Sequence, residues 1–229
     1  MARGDRLSWD EYAARWTTMH GGVDPRRYGT VVRGWLRLGY ALGRACAAVG
    51  LLPNVITFAG LVLALAVPAV AVLRGPWMFV AAALVFLSAV ADTVDGSVAV
   101  ITSRSTGLGS FYDSLADRVS EAAWLLALWL LGAPGWLMVV CGGLAWLHEY
   151  ARARATVAGL ADVGVITVAE RPTRVALVIA ALVLGGVAWM INPHLTPGTV
   201  TVVVAVWVVL GLIGAARLTG VIRAALRRP

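Results

Sequence analysis

The sequence predicts an all-α integral membrane protein, with six transmembrane helices preceded by an N-terminal interfacial amphipathic helix. Three observations carry that prediction. Of 229 residues, 60% are hydrophobic and 14% charged, with a mean hydropathy of +0.82, more apolar surface than one soluble core of this size can hide. Six apolar stretches, 54–73, 77–102, 108–131, 135–158, 172–191 and 199–218, each approach the ~20 residues that cross a bilayer core. Short joints built from helix breakers separate them: Arg74-Gly75-Pro76, Gly132-Ala133-Pro134, and Asn192-Pro193 through Pro197-Gly198.

The first 24 residues are polar and mixed in charge, and read as a cytosolic arm. Nowhere in the first fifty residues does an uninterrupted apolar run follow a basic head and precede a small-residue cleavage site, so no removable signal peptide is expected. Asp24-Pro25 has the form of an N-cap followed by proline at the first helical position. From residue 25 to about 50, Arg26, Arg33, Arg37 and Arg44 project within ~40° of one another at 100° per residue, as on a helix lying in the membrane interface. A short first span with snorkelling arginines is the alternative. Residues 51–220 then form the six-span domain, and 221–229 a basic cytosolic tail carrying Arg223, Arg227 and Arg228.

The net charge of +7 rests on 19 arginines, with no lysine. Because that charge flanks apolar spans, anionic headgroups are the expected partner and nucleic acid is not. Nearly all arginines fall on the side that receives the N-terminal arm, the turn at residues 103–107, the loop at 159–171 and the tail. Arg74 is the clear exception. The bias makes that side cytoplasmic, with both termini in the cytosol. Cys46 and Cys141 lie in different helices without ligand spacing, and no role is assigned to them.

Four aspartates inside the second and third spans dominate the functional reading. An ionised carboxylate near a bilayer centre costs at least ~2.5 kcal/mol, so Asp92, Asp95, Asp113 and Asp117 require a compensating partner, and divalent metal is the obvious one. At 100° per residue Asp92, Asp95, Gly96 and Ala99 share ~100° of one helix, while Gly109, Asp113 and Asp117 share ~80° of the next. All four carboxylates can therefore converge across a short turn.

The run Asp92-Thr93-Val94-Asp95-Gly96-Ser97-Val98-Ala99, continued by Gly109, Asp113 and Asp117, resembles the signature of the CDP-alcohol phosphatidyltransferase family, D-x2-D-G-x2-A-R-x8-G-x3-D-x3-D. Seven of its eight positions match across 26 residues. Pro53-Asn54-Val55-Ile56-Thr57 also resembles the Pro-Asn-x-x-Thr entry to the family's first span. The resemblance implies six spans, a homodimer, and transfer of a phosphatidyl group from CDP-diacylglycerol to an alcohol with release of CMP. It implies two Mg²⁺ or Mn²⁺ ions, with Asp92, Asp95, Asp113 and Asp117 as ligands and Asp117 also placed to take the acceptor's proton. The sequence does not divide ligand from base. Asp92, Gly96, Ala99 and Gly109 would hold the CDP moiety. Val100 stands where the family has arginine, and Arg104, one turn further on, is expected to supply the missing charge.

Arg152, Arg154, Arg171 and Arg174 suit an acceptor phosphate, because a guanidinium fork binds phosphate oxygens in pairs. Tyr150-Ala151-Arg152-Ala153-Arg154 and Glu170-Arg171-Pro172-Thr173-Arg174 resemble elements of the phosphatidylinositol phosphate synthase branch. A phosphorylated polyol is the expected acceptor, inositol phosphate ahead of glycerol 3-phosphate. The setting would be the plasma membrane of a bacterium, in phospholipid biosynthesis. Glu121 is expected to pair with Arg118, and Glu149 with Arg152, along their own helices. His148 is read as a packing or interfacial residue, and His20 and His194 as remote from the site. Two other readings remain: a catalytically weak or silent paralogue, suggested by Val100, and an ion- or proton-coupled transporter, since buried acids facing arginines also line ion pathways.

Overall fold

The computed structural model describes residues 7–19, 22, 24–160 and 167–227. His20, Arg228, the first six residues of the arm and residues 161–166 of the 159–171 loop lie outside the described residues. Within them the regular structure is helical, in eight α-helices: α1 (Trp9–Met19), α2 (Thr30–Ala48), α3 (Pro53–Ala71), α4 (Trp77–Thr102), α5 (Gly107–Leu130), α6 (Gly135–Val157), α7 (Arg171–Ile191) and α8 (Thr196–Leu226). By length and apolar composition, α3, α4, α7 and the segment Pro193–Leu226 that contains α8 are able to cross a membrane. Side chains such as Phe58, Trp136, Val139, Ile191 and Val202 are exposed along the helices, a surface suited to lipid contact.

Two departures from the expected elements occur near the N-terminus. The first is α1, inside the segment read as an arm. Ser8 caps it, with the Ser8 amide donating to Glu11 Oε2 at 2.7 Å and the Glu11 amide to Ser8 Oγ at 3.3 Å, a capping box. Leu7 and Tyr12, flanking the cap, are buried together as a hydrophobic staple. The second is a break in the helix expected over 25–50. Asp24 caps only a 3-10 turn, Pro25–Arg27, by accepting from the Arg26 amide at 2.9 Å. Tyr28 and Gly29 are extended, with ψ of 157° and 160°, and the α-helix starts at Thr30.

The chain forms two compact units. One takes Met1–Leu63 and Leu87–Val119. In it α2 packs against α4 through Gly39 and Gly43, where an added Cβ would stand 2.7 Å from Thr93 Cγ2 and 2.8 Å from Ser97 Cβ respectively. Only glycine allows that approach. Trp35 Nε1 adds a hydrogen bond to Thr93 Oγ1 at 2.9 Å. Trp9 and Tyr12 of α1 stack on each other, and both meet the Tyr40 ring of α2, so α1 is held by an aromatic cluster.

The other unit takes Ala64–Phe86 and Ser120–Pro229. Its core joins Met78 and Val85 of α4, Trp124, Leu128 and Leu131 near α5's C-terminal end, Cys141 of α6, Leu182 of α7, and Val204 and Trp207 of α8. Burying each of the large side chains contributes roughly 1.5–3 kcal/mol in water, and in lipid their close packing is the larger effect.

Candidate active site

The first unit holds the aspartates. Carboxylate oxygens of Asp92, Asp113 and Asp117 lie within 4.8 Å of one another, and all three side chains are half-buried. Two ligands opposite each other on one magnesium stand ~4.2 Å apart, so small rotamer adjustments would let these three share an ion. Three hard oxygen donors at that separation repel one another unless a cation lies among them, and they fit Mg²⁺ or Mn²⁺ rather than a thiophilic metal. The guanidinium of Arg118 adds positive charge beside them, its Nη2 3.8 Å from Asp117 Oδ2.

Asp95 stands apart from that trio. It is buried at 5% exposure and accepts a hydrogen bond from Thr57 Oγ1 at 2.5 Å. Thr57 therefore fixes one Asp95 oxygen, which gives the Pro-Asn-x-x-Thr entry of α3 a specific task. The motif's spacing alone gives Thr57 no role, because the contact depends on how α3 meets α4.

Asp95 lines a pocket with Asp113. Gly96, Ala99, Arg104 and Gly109, four of the five residues expected around the CDP moiety, line the same pocket, joined by Asn54 and Thr57 of α3 and Met19 of α1. Asp92 is not among its lining residues. A Cβ added at Gly96 would meet nothing within 4 Å, so this glycine keeps the space clear. At Gly109 an added Cβ would lie 3.1 Å from Thr106 Oγ1 and 3.4 Å from Asn54 Oδ1. Thr106 caps α5, accepting from the Gly109 amide at 3.0 Å.

Val100 also borders the pocket, but its side chain is 2% exposed and packs with Leu7, Tyr12 and Ile101. An arginine there would bury its charge among aromatic rings. Arg104 is exposed and lies two residues past the end of α4.

The arginines expected at the acceptor phosphate lie in the second unit, and carboxylates hold Arg174 and Arg152. Arg174, 1% exposed, donates from Nη1 to Glu121 Oε1 at 2.7 Å and from Nη2 to Glu149 Oε1 at 2.6 Å. Glu121 and Glu149 thus share a partner from another helix, a choice that spacing along their own helices does not reveal. Arg152 Nη2 pairs with Glu170 Oε1. Arg154 is exposed and Arg171 half-buried.

Around Glu170, His148 Nε2 stands 3.6 Å from Oε1 and 3.2 Å from Thr167 Oγ1, and the Thr167 amide donates to Glu170 at 3.0 Å. Burial alone would raise the Glu170 carboxyl. The His148 imidazole, the Thr167 amide and the Arg152 charge outweigh it and hold the group down at about 2. His148 is buried in this network, as a packing residue would be, while His194 lies in a separate 3-10 turn, Pro193–Leu195.

Comparison with known proteins agrees with this geometry. The family model for CDP-alcohol phosphatidyltransferases matches residues 50–213. The chain is 28% identical to the archaetidylinositol phosphate synthase of Pyrococcus horikoshii over 149 residues, which cover 64% of this chain and 77% of that protein. It is 31% identical to the phosphatidylinositol phosphate synthase of Cutibacterium acnes, covering 60% and 70% respectively. Among solved structures, Mycobacterium tuberculosis phosphatidylinositol phosphate synthase with CDP-DAG bound superposes with a TM-score of 0.62 at 25% identity, covering 81% of this chain and 94% of that one. The same enzyme in complex with manganese and citrate shares the fold, with a TM-score of 0.64 at 23% identity, covering 81% and 88%. A family match that takes in most of the chain, including the whole aspartate signature and every pocket-lining residue but Met19, makes this protein a member of the CDP-alcohol phosphatidyltransferase family.

Proposed function

We propose that the protein transfers the phosphatidyl group of CDP-diacylglycerol to the hydroxyl of a small phosphorylated polyol, inositol phosphate ahead of glycerol 3-phosphate, and releases CMP. The observation that carries this reading is the convergence of Asp92, Asp113 and Asp117 beside a pocket floored by Gly96, Ala99 and Gly109. Asp92, Asp95, Asp113 and Asp117 would hold two Mg²⁺ or Mn²⁺ ions. When bound, such ions screen the phosphate charge and favour departure of an anionic leaving group. Thr57 orients Asp95 for that role.

The acceptor oxygen forms the new bond to phosphorus, the bond to the CMP oxygen breaks, and the acceptor's proton passes to Asp117. Gly96, Ala99 and Gly109 leave room for the cytidine part, and Arg104 supplies the positive charge absent at Val100. Arg152, Arg154 and Arg171 carry the acceptor-phosphate role. Arg174, with both terminal nitrogens on carboxylates, serves that subsite by tying α7 to α5 and α6.

The family and the apolar helices support a multi-pass setting, for which α3 to α8 are the six spans, residues 25–50 the interfacial segment, and both termini cytoplasmic in a bacterial plasma membrane. The working form is a homodimer. Val100 also favours a second reading, a paralogue with weak or lost activity. Purified protein incubated with CDP-diacylglycerol, divalent metal and each candidate acceptor decides between them. Metal-dependent CMP release with inositol phosphate supports the proposal, release only with uncharged inositol or serine refutes the arginine assignment, and no release with any acceptor favours the silent paralogue.

A further inference from the structure

We propose that α1 is a working part of the nucleotide pocket, walling its edge with Met19 and aiming Arg104 through an Arg15–Ser103 clamp. The inference rests on reading that pocket as the CDP site and adds residues that lie before the span matched by the family model.

Three separate contacts tie α1 to α4. Tyr12 and Ser97 hydroxyls meet at 3.0 Å, Tyr12 buries its ring against Val100 and Ile101, and Arg15 Nη1 donates to Ser103 Oγ at 3.0 Å. Tyr12 is almost fully buried, so its position is fixed, and burial raises its phenol above the usual range and keeps it neutral.

The contact with Ser103 falls at a strained point. α4 ends with the Arg104 amide bonded to Ala99 O at 3.0 Å and the Ser103 amide near Val100 O at 3.4 Å, a closing motif whose left-handed position usually takes glycine. Here Ser103 occupies it at φ 54°. The helices α2, α5 and α6 have Gly50, Gly132 and Gly159 at the equivalent place. A serine loses the freedom glycine has there, so the turn needs outside support. Arg15 supplies it. Because Arg104 is the next residue, the clamp sets the direction from which its guanidinium enters the pocket. One turn beyond Arg15, Met19 faces the same pocket as Gly96 and Ala99.

This arrangement also accounts for the missing family arginine. With α1 seated on Val100, a charged side chain at that position has no room, and the positive group is carried by Arg104 instead. A substrate held by α1 would feel it as affinity for the nucleotide, not for the acceptor.

The test is steady-state kinetics on the full-length enzyme. Arg15→Ala and Ser103→Ala should each raise the KM for CDP-diacylglycerol roughly fivefold, with the KM for the alcohol unchanged. The double variant should be no worse than either single one, since both remove one contact, and Arg15→Lys should recover part of the loss. Met19→Ala, at a half-exposed helix end that does not threaten folding, should raise the same KM. Unchanged KM in these variants, equal shifts for both substrates, or effects of Arg15→Ala and Ser103→Ala that multiply would overturn the proposal. An inactive wild type would sink the proposed function itself, whereas an active wild type with indifferent variants sinks only the role of α1.

Discussion

Asp92, Asp113 and Asp117 bring three carboxylates together in a half-buried space, and their mutual repulsion works against the fold that gathers them. Asp113→Asn is therefore expected to lower CMP release by about 10³-fold, yet to raise the melting temperature measured in chelator. The carboxylates around Arg174 behave in the opposite way. They need their partner, and Arg174→Met would take away the guanidinium that Glu121 and Glu149 share, at a cost of about 3–5 kcal/mol, measurable as thermal unfolding in detergent. These two cases mark what single residues disclose in a sequence. The aspartate spacing is local, one helix turn at a time across a short joint, and was legible. The Arg174 node joins residues 53 and 25 positions apart, and helical periodicity says nothing about partners on other helices.

At the scale of elements, the glycines of α2 make the contact that fixes the helix beside α4. Gly43→Ile would push a branched side chain into Ser97 and is expected to destabilise the protein by about 1–3 kcal/mol, read as a lower unfolding midpoint. The segment before α7 depends on Glu170, whose folded-state carboxyl is depressed to about 2 from the ordinary 4.5. Its contribution to stability is complete above pH 4.5 and fades as pH falls from there towards 2. A melting-temperature profile should accordingly lose part of its slope across that window in Glu170→Gln. The boundaries of α3 to α7 lie within two residues of those expected, because proline and glycine breakers mark them chemically. α1 was missed, although Leu7-Ser8-Trp9-Asp10-Glu11-Tyr12 carries a capping box and a staple. Its polar composition masked a short helix held by aromatic packing, a tertiary effect.

For the whole molecule, composition indicated a membrane protein and a rigid aspartate signature indicated the chemistry, because both leave dense local traces. The features that shape the pocket came from the folded chain: Thr57 holding Asp95, Val100 covered by α1, and Met19 at the edge. None follows from spacing, since each depends on which helix face meets which. The acidic cluster remains the feature on which the account rests, and manganese binding examines it most directly. Titrating Mn²⁺ into the purified protein, with the free ion followed by electron paramagnetic resonance, should show binding that Asp92→Asn and Asp113→Asn each weaken by about 10- to 100-fold. Equal binding by the wild type and by a variant with Asp92, Asp113 and Asp117 all changed to Asn would contradict it.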